Sequence, residues 1–415
     1  MLKNYLKIAL KVLVRRKFFT FISLFGISFT LVVLMVVTAL FDHALAPMAP
    51  ETKQERSLVA ARAVMYGEHS TWSSDVGYKV LDKYARGLDE VERLSIYTGA
   101  GDVQSYLHGA KVSSRLKRTD GEFWRILDFT FLEGAPYTTQ DVDQAAFVAV
   151  INQATKRKFF GDGPAIGQML EADGQRFRVI GVVADVSALR EEPFADIWVP
   201  LTTAKTDSYK RALIGGFHAI ALARDRAALP RIREQFNERL SHIEFDDPKN
   251  YKAYVAPFET KFDALARNMP VGDRKDPNPQ GWRLAVALGV VALMFMLLPT
   301  VNLININVSR IMERASEIGV RKAFGASART LVGQFIVENL ILTLVGGAIG
   351  LVLSFFVLRA LTASGFFSYA EFHLNFRVFL YGLALAGVFG LLSGVYPAWR
   401  MSRLNPVQAL KGASR

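Results

Sequence analysis

R-I-M-E-R-A-S-E-I-G-V-R-K-A-F-G-A-S-A-R, residues 310–329, is a short charged stretch set between two long apolar runs. It holds five basic and two acidic residues, with glycines at 319 and 325. Glu317 and Arg321 are spaced i, i+4 in the orientation that supports a helix. Ile318, Val320 and Phe324 add an apolar component, and Gly325 can end the helix. No flexible linker separates the stretch from its neighbours, so force applied here by a partner would pass into both flanking runs. The simpler reading is an ordinary helical hairpin between two spans. The functional reading is a lever seated in a partner's groove.

Outward from this stretch, four apolar runs stand out at 18–41, 284–307, 331–358 and 376–398. Each is long enough for a hydrocarbon core, which needs roughly 20 residues. The first run carries no charge. Ala44-Leu45-Ala46 resembles a leader cleavage site, but the apolar stretch exceeds a signal core and Pro47 would follow the cut, so a retained anchor is expected. The third run contains Gly346, Gly347 and Gly350, a G-x-x-x-G spacing that lets helices approach closely in lipid. Packing within one subunit and packing between subunits both fit it.

Charge orients these runs. Residues 1–17, an amphipathic helix by their Lys3, Lys7, Lys11 and Arg15 ridge, hold six Lys/Arg and no acid. The tail 399–415 holds four and no acid, and 310–329 is net +3. The positive-inside rule places all three in the cytoplasm. Residues 42–281 then lie outside, with 32 basic and 34 acidic residues, so the net charge of +12 belongs to the membrane flanks. A basic patch on a soluble domain, which nucleic acid would require, is not indicated. The expected fold is an α-helical membrane protein with four transmembrane helices and a large extracytoplasmic α+β domain between helices 1 and 2.

Within 42–281, Ala146–Ile151, Ile197–Leu201, Phe217–Ala223 and Tyr251–Pro257 read as strands. Gln153–Phe160 and about 227–242 read as helices, the former closed by Gly161. Asp173-Gly174 marks a hairpin turn. Catalytic patterns do not appear: there is no G-x-x-x-x-G-K-[ST] loop, no H-E-x-x-H spacing and no G-x-S-x-G elbow. With no cysteine there is no thiol chemistry. The paired acids Glu191-Glu192 and Asp246-Asp247 read as solvated loops. Glu338, near one end of the third run, is expected to have a structural partner rather than a role in proton transfer.

E-R-A-S-E-I-G-V-R-K-A-F-G-A-S (313–327), Q-F-I-V-E-N (334–339), G-G-A-I-G (346–350) and Y-P-A-W-R-M-S-R-L-N-P-V-Q-A-L-K (396–411) together resemble the FtsX-like permease domain of ABC transporters. The stretches F-V-A-V-I-N-Q-A-T-K-R-K-F-F-G-D-G-P-A-I-G-Q (147–168) and D-G-Q-R-F-R-V-I-G-V-V-A-D-V (173–186) are similar to the periplasmic core domain of MacB-type permeases. The resemblance covers nearly the whole chain. It implies a permease subunit in the bacterial inner membrane, with both termini cytoplasmic and residues 42–281 as a periplasmic core with its stalk. It implies a separate ABC ATPase as partner, a second permease copy or paralogue completing a dimer, and a periplasmic adaptor or substrate outside. No cofactor is expected on this chain, ATP and Mg²⁺ entering through the ATPase, and no metal site. The absence of a fused ATPase within these residues resembles permeases encoded apart from theirs. The implied coupling residues are Glu313, Glu317, Ile318, Gly319, Arg321, Lys322, Phe324 and Gly325. Motion driven by ATP would then reach the periplasmic domain and export a peptide, antibiotic or lipid-linked substrate. The alternatives are a non-transporting signal transmitter acting on a periplasmic partner, and a membrane-anchored scaffold.

The topology is testable by reporter fusions after residues 160 and 415. A periplasm-only reporter should be active at 160 and silent at 415; activity at 415 rejects the four-span arrangement.

Overall fold

The computed structural model describes residues 17–107, 110–313 and 328–402. The chain divides into two compact units. A helical unit takes in residues up to His43, Leu288–Phe366 and Glu371 onward, and an inserted unit takes in Ala44–Ala287 with Phe367–Ala370.

The inserted unit is α+β. Among the described residues its strands are β1 (Ser57–Ala60), β2 (Arg62–Tyr66), β3 (Thr71–Val76), β4 (Val91–Thr98), β5 (Gly101–Leu107), β6 (Ala110–Thr119), β7 (Phe131–Gly134), β8 (Val148–Asn152), β9 (Met169–Ala172), β10 (Gln175–Val183), β11 (Ile197–Pro200), β12 (Ile214–Gly215), β13 (Phe217–Ala223) and β14 (Ala253–Val255). They join in one mixed sheet whose main path runs β14-β2-β3-β13-β4-β6-β11-β8-β10-β7. The pairs β8–β10 and β6–β11 are parallel, and the remaining neighbours are antiparallel. Parallel strands are covered on both faces, and β8 accordingly has every residue buried. β9 and β10 form the hairpin turned by Asp173-Gly174, with Gln175 opposite Ala172.

Helices cover this sheet because their sequences present one apolar stripe. In the helix Leu229–Ser241, Leu229, Ile232, Phe236 and Leu240 are buried, and Phe236 meets Phe258 at a ring distance of 4.6 Å. Pro230 suits the first turn, where its missing N–H costs nothing. Asp225 accepts from the Ala228 N–H just ahead of it. The helix Gln153–Phe160 starts at Asn152, whose side chain accepts from the Thr155 N–H at 2.8 Å. It stops at Gly161, whose φ of 60° lies in the left-handed region.

The helical unit contains α1 (Lys17–Leu45), most of Gly281–Glu313, Ala328–Ala363 and Phe376–Ser402. Lys17–Leu45 and Ile336–Ala363 are long and apolar enough to cross a membrane; Gly281–Leu297 and Phe376–Leu392 are apolar over shorter stretches. α1 exposes Phe21, Phe25 and Phe29 as a stacked ladder with ring distances of 6.2 and 5.7 Å. An apolar surface of this kind suits lipid rather than water.

Asp120 illustrates how the sheet tolerates a polar group. Its carboxyl accepts from Ser95 Oγ at 2.7 Å and from the backbone N–H groups of Ile96 and Phe123 at 2.8 and 3.1 Å. Burial nevertheless raises it to about 6. A carboxyl raised above its unfolded value stabilises the fold at low pH, and that contribution is lost as pH rises from about 4 through 6. Wild type should therefore lose about 2–3 kcal/mol between pH 4 and pH 7 relative to Asp120→Asn, which cannot titrate. Denaturant unfolding of both proteins at the two pH values measures the difference. Equal pH slopes would rule the titration out.

Candidate functional site

Of the sequence-derived coupling residues, Glu317, Ile318, Gly319, Arg321, Lys322, Phe324 and Gly325 lie outside the described residues, and Glu313 is the last residue of the helix Gly281–Glu313. The described candidates fall into two places, one in each unit.

In the helical unit, Gly346, Gly347 and Gly350 sit on the helix Ala328–Ala363 where other helices press against it. A methyl group on Gly346 would lie 2.9 Å from Ile27 of α1, and one on Gly350 would lie 3.1 Å from Leu31 and 3.3 Å from the Ser28 backbone. Gly347 is closed in the same way by Leu383 of the helix Phe376–Ser402. The G-x-x-x-G face is thus filled by this chain's own α1. Asn339 donates to the Gly390 carbonyl at 3.1 Å, tying the last two helices, and Glu338 beside it is buried. Small residues and one buried amide bond are what hold helices together where burial supplies little drive.

In the inserted unit, three distant segments meet around the Glu51 carboxylate. Arg190, 2% exposed, donates to it at 2.9 Å and also to the Ala46 carbonyl at 2.9 Å. Lys261, from the helix Lys261–Asn268, pairs with Glu51 and lies 3.4 Å from Glu192. Behind them Lys117 of β6 is fully buried, donates to the backbone carbonyls of Glu191 and Glu192, and stands 5.0 Å over the Tyr97 ring. Burial lowers Lys117 to about 8, against the pull of the nearby carboxylates. Burial raises Glu51, and its neighbour Glu192 adds to the rise. Burial opposes ionisation of Glu192, but nearby positive groups, Lys261 foremost with Lys117, hold it below the usual range.

The solvated reading of Glu191-Glu192 is therefore corrected for its second member: Glu192 is buried, while Glu191 and Asp246-Asp247 are exposed. Glu51, Lys117, Arg190 and Lys261 carry no local pattern that marks them, since their partners lie tens of residues away.

The same helix fixes the way out of the unit. Arg267 grips both oxygens of Glu259 and donates to the carbonyls of Asp273 and Asn278 at 2.8 and 2.9 Å. Asp263 accepts from the Gly281 N–H at 2.8 Å, at the first residue of the helix Gly281–Glu313. The segment Phe367–Ala370 also belongs to this unit. The Ala188 N–H donates to the Ser368 carbonyl at 2.9 Å, and the Tyr369 hydroxyl donates to Asp196 at 2.8 Å.

Residues 20–239 match the MacB-like periplasmic core domain, and residues 289–406 match the FtsX-like permease C-terminal region. The chain belongs to the MacB/FtsX-type ABC transporter permease family. The macrolide export ATP-binding/permease protein MacB of Bdellovibrio bacteriovorus is 26% identical over 67% of this chain and 41% of its own. The pyoverdine export ATP-binding/permease protein PvdT of Pseudomonas syringae pv. tomato is 30% identical over 72% of this chain and 43% of its own. The chain thus spans about two fifths of the length of these curated relatives. The solved periplasmic region of MacB from Actinobacillus actinomycetemcomitans is 16% identical, with a TM-score of 0.34 over 44% of this chain and 83% of that one. The MacB-like core match contains Glu51, Lys117, Arg190 and Glu192, whereas Lys261 and Arg267 lie beyond it.

Removing one partner from a fully buried ion pair leaves an uncompensated charge and costs about 3–5 kcal/mol. Arg190→Met should show that loss in denaturant unfolding of the full chain in detergent, followed by tryptophan fluorescence, for which Trp198 is fully buried. Lys205→Met, which breaks an exposed bridge to Asp173, should cost less than about 1 kcal/mol. Equal losses in the two variants would show that burial of the cluster carries no special weight.

Proposed function

We propose that this chain is a permease subunit that couples ATP hydrolysis by a separate ABC ATPase to motion of its periplasmic domain, for export of a peptide, antibiotic or lipid-linked substrate. It crosses the inner membrane four times, with both termini in the cytoplasm, and pairs with a second permease copy or paralogue. The ATPase binds and hydrolyses ATP; no ATP site resides on these residues.

The observation that carries this reading is where the unit boundaries fall. The boundary at 43/44 lies inside α1 and the boundary at 287/288 lies inside the helix Gly281–Glu313. A continuous helix keeps its backbone hydrogen bonds along its whole length and bends far less readily than a loop. Continuous helix at both boundaries suits a chain that transmits displacement, which a tethered scaffold would not need. The helix Gly281–Glu313 ends inside the charged 310–329 stretch, so a partner seated on that stretch would bear on the end of this helix.

Reversing both charges, Glu317→Arg with Arg321→Glu, preserves their mutual attraction and inverts what a partner meets. As a bridge exposed within one helix the pair contributes only about 0.3–0.5 kcal/mol, and the swap is tolerated. As part of a docking surface it is not, because like charges then face each other across the interface. The doubly swapped chain should insert normally and lose co-purification of the ATPase. Full retention of ATPase and of export would remove these two side chains from the contact.

A further inference from the structure

A cavity of about 480 Å³ opens in the inserted unit between β2, β14, the helix Lys261–Asn268 and the 189–192 segment. Its size falls within the roughly 300–1,000 Å³ of small-molecule sites. Its walls are of two kinds. Val64, Leu189, Val255, Pro257, Ala264 and Leu265 give it an apolar side. Arg62, Lys261, Arg267 and Arg274 give it four cations, against the two carboxylates of Glu191 and Glu192.

The state of those charges matters more than their number. Arg267 is spent on Glu259 and on backbone carbonyls, and Lys261 is held by Glu51 and Glu192. Both are at least nine-tenths buried, so they form a fixed positive wall rather than mobile surface groups. Arg62 is bridged to Asp75 at 2.8 Å but remains half exposed. Arg274 has no ion pair or hydrogen-bond partner among the described residues, and a guanidinium offers a planar fork of donors suited to an oxyanion. Glu192 is buried beside Lys261, which leaves the exposed Glu191 as the acid facing the opening.

We infer that this cavity binds a small amphiphile with one anionic head and a compact apolar body, the head on Arg274 and Arg62 and the body against Val64, Val255 and Leu265. The inference stands apart from the transport reading, because binding is measured without ATPase or export.

The probe is naphthalene-1-sulfonate, titrated calorimetrically into the full chain in phosphatidylcholine nanodiscs, with empty discs as the blank. Saturable binding is expected. It should weaken roughly tenfold or more in Arg274→Ala, which removes a charged hydrogen-bond donor. It should vanish in Ala264→Phe, which fills the space, and tighten in Glu191→Gln, which removes the opposing charge. 1-Naphthylmethylamine, with the same body and a cationic head, should bind more weakly than the sulfonate. Arg274 is exposed, so its variant stays informative where the bulkier side chain prevents folding. The inference is overturned by wild-type heats equal to those of empty discs, or by an amine that binds more tightly than the sulfonate. It is equally overturned by undiminished binding in Arg274→Ala, which would mark an adventitious additive only.

Discussion

The carboxylate of Glu51 is the point on which the inserted unit is assembled. It is drawn by Arg190 and Lys261 together, and each of these brings a different part of the chain. Glu51 follows closely on α1, Arg190 lies in the segment between β10 and β11, and Lys261 opens the helix that precedes the unit's last connection. Burying an isolated charge is costly, so each member's burial is eased by the others. The cluster thus ties the chain's arrival, its middle and its departure to one another. Apolar burial alone would not give that precision, because it is non-directional.

The helical unit meets a different constraint. Its helices cannot rely on expelling water from between them, so association depends on close approach and a few buried polar contacts. Gly346 and Gly350 against Ile27, Leu31 and Ser28 supply the first, and Asn339 on the Gly390 carbonyl supplies the second. α1 occupies the glycine face, so that face is filled within one chain. Among the described residues, apolar surface is left exposed by the ladder of Phe21, Phe25 and Phe29 and by each of the helices Gly281–Glu313, Ala328–Ala363 and Phe376–Ser402.

Elements whose own residues enforce them were legible in the sequence. Gln153–Phe160 and Phe217–Ala223 carry their limits with them, in an Asn cap with a left-handed glycine and in an unbroken apolar run. The turn at Asp173-Gly174 likewise declares the β9–β10 hairpin. The strands β1 to β6 were not legible. Thr71–Val76 exposes its first three residues, and Ala110–Thr119 mixes Lys, Ser and Arg with few apolar positions. Such strands are set by the neighbours they pair with rather than by alternation of their own. Glu192 was misread for a related reason. Two adjacent acids look solvated until Lys261, far along the chain, is brought beside one of them. The family's motifs were legible as motifs because they are contiguous.

A stiff connection transmits displacement only if both of its ends are anchored. Within the inserted unit, α1 leads into a segment whose Ala46 carbonyl is held by Arg190, and the helix Gly281–Glu313 begins at a backbone N–H held by Asp263. Asp263 and Lys261 lie on the same short helix, two residues apart. Both segments therefore meet the helix Lys261–Asn268, through the Glu51–Lys261 pair on one side and through Asp263 on the other. Within the inserted unit, the chain's entry and its exit are thus held by buried charges that are costly to separate. Local rigidity of this kind at the unit's two ends follows from paired buried charges, which fix direction as well as proximity.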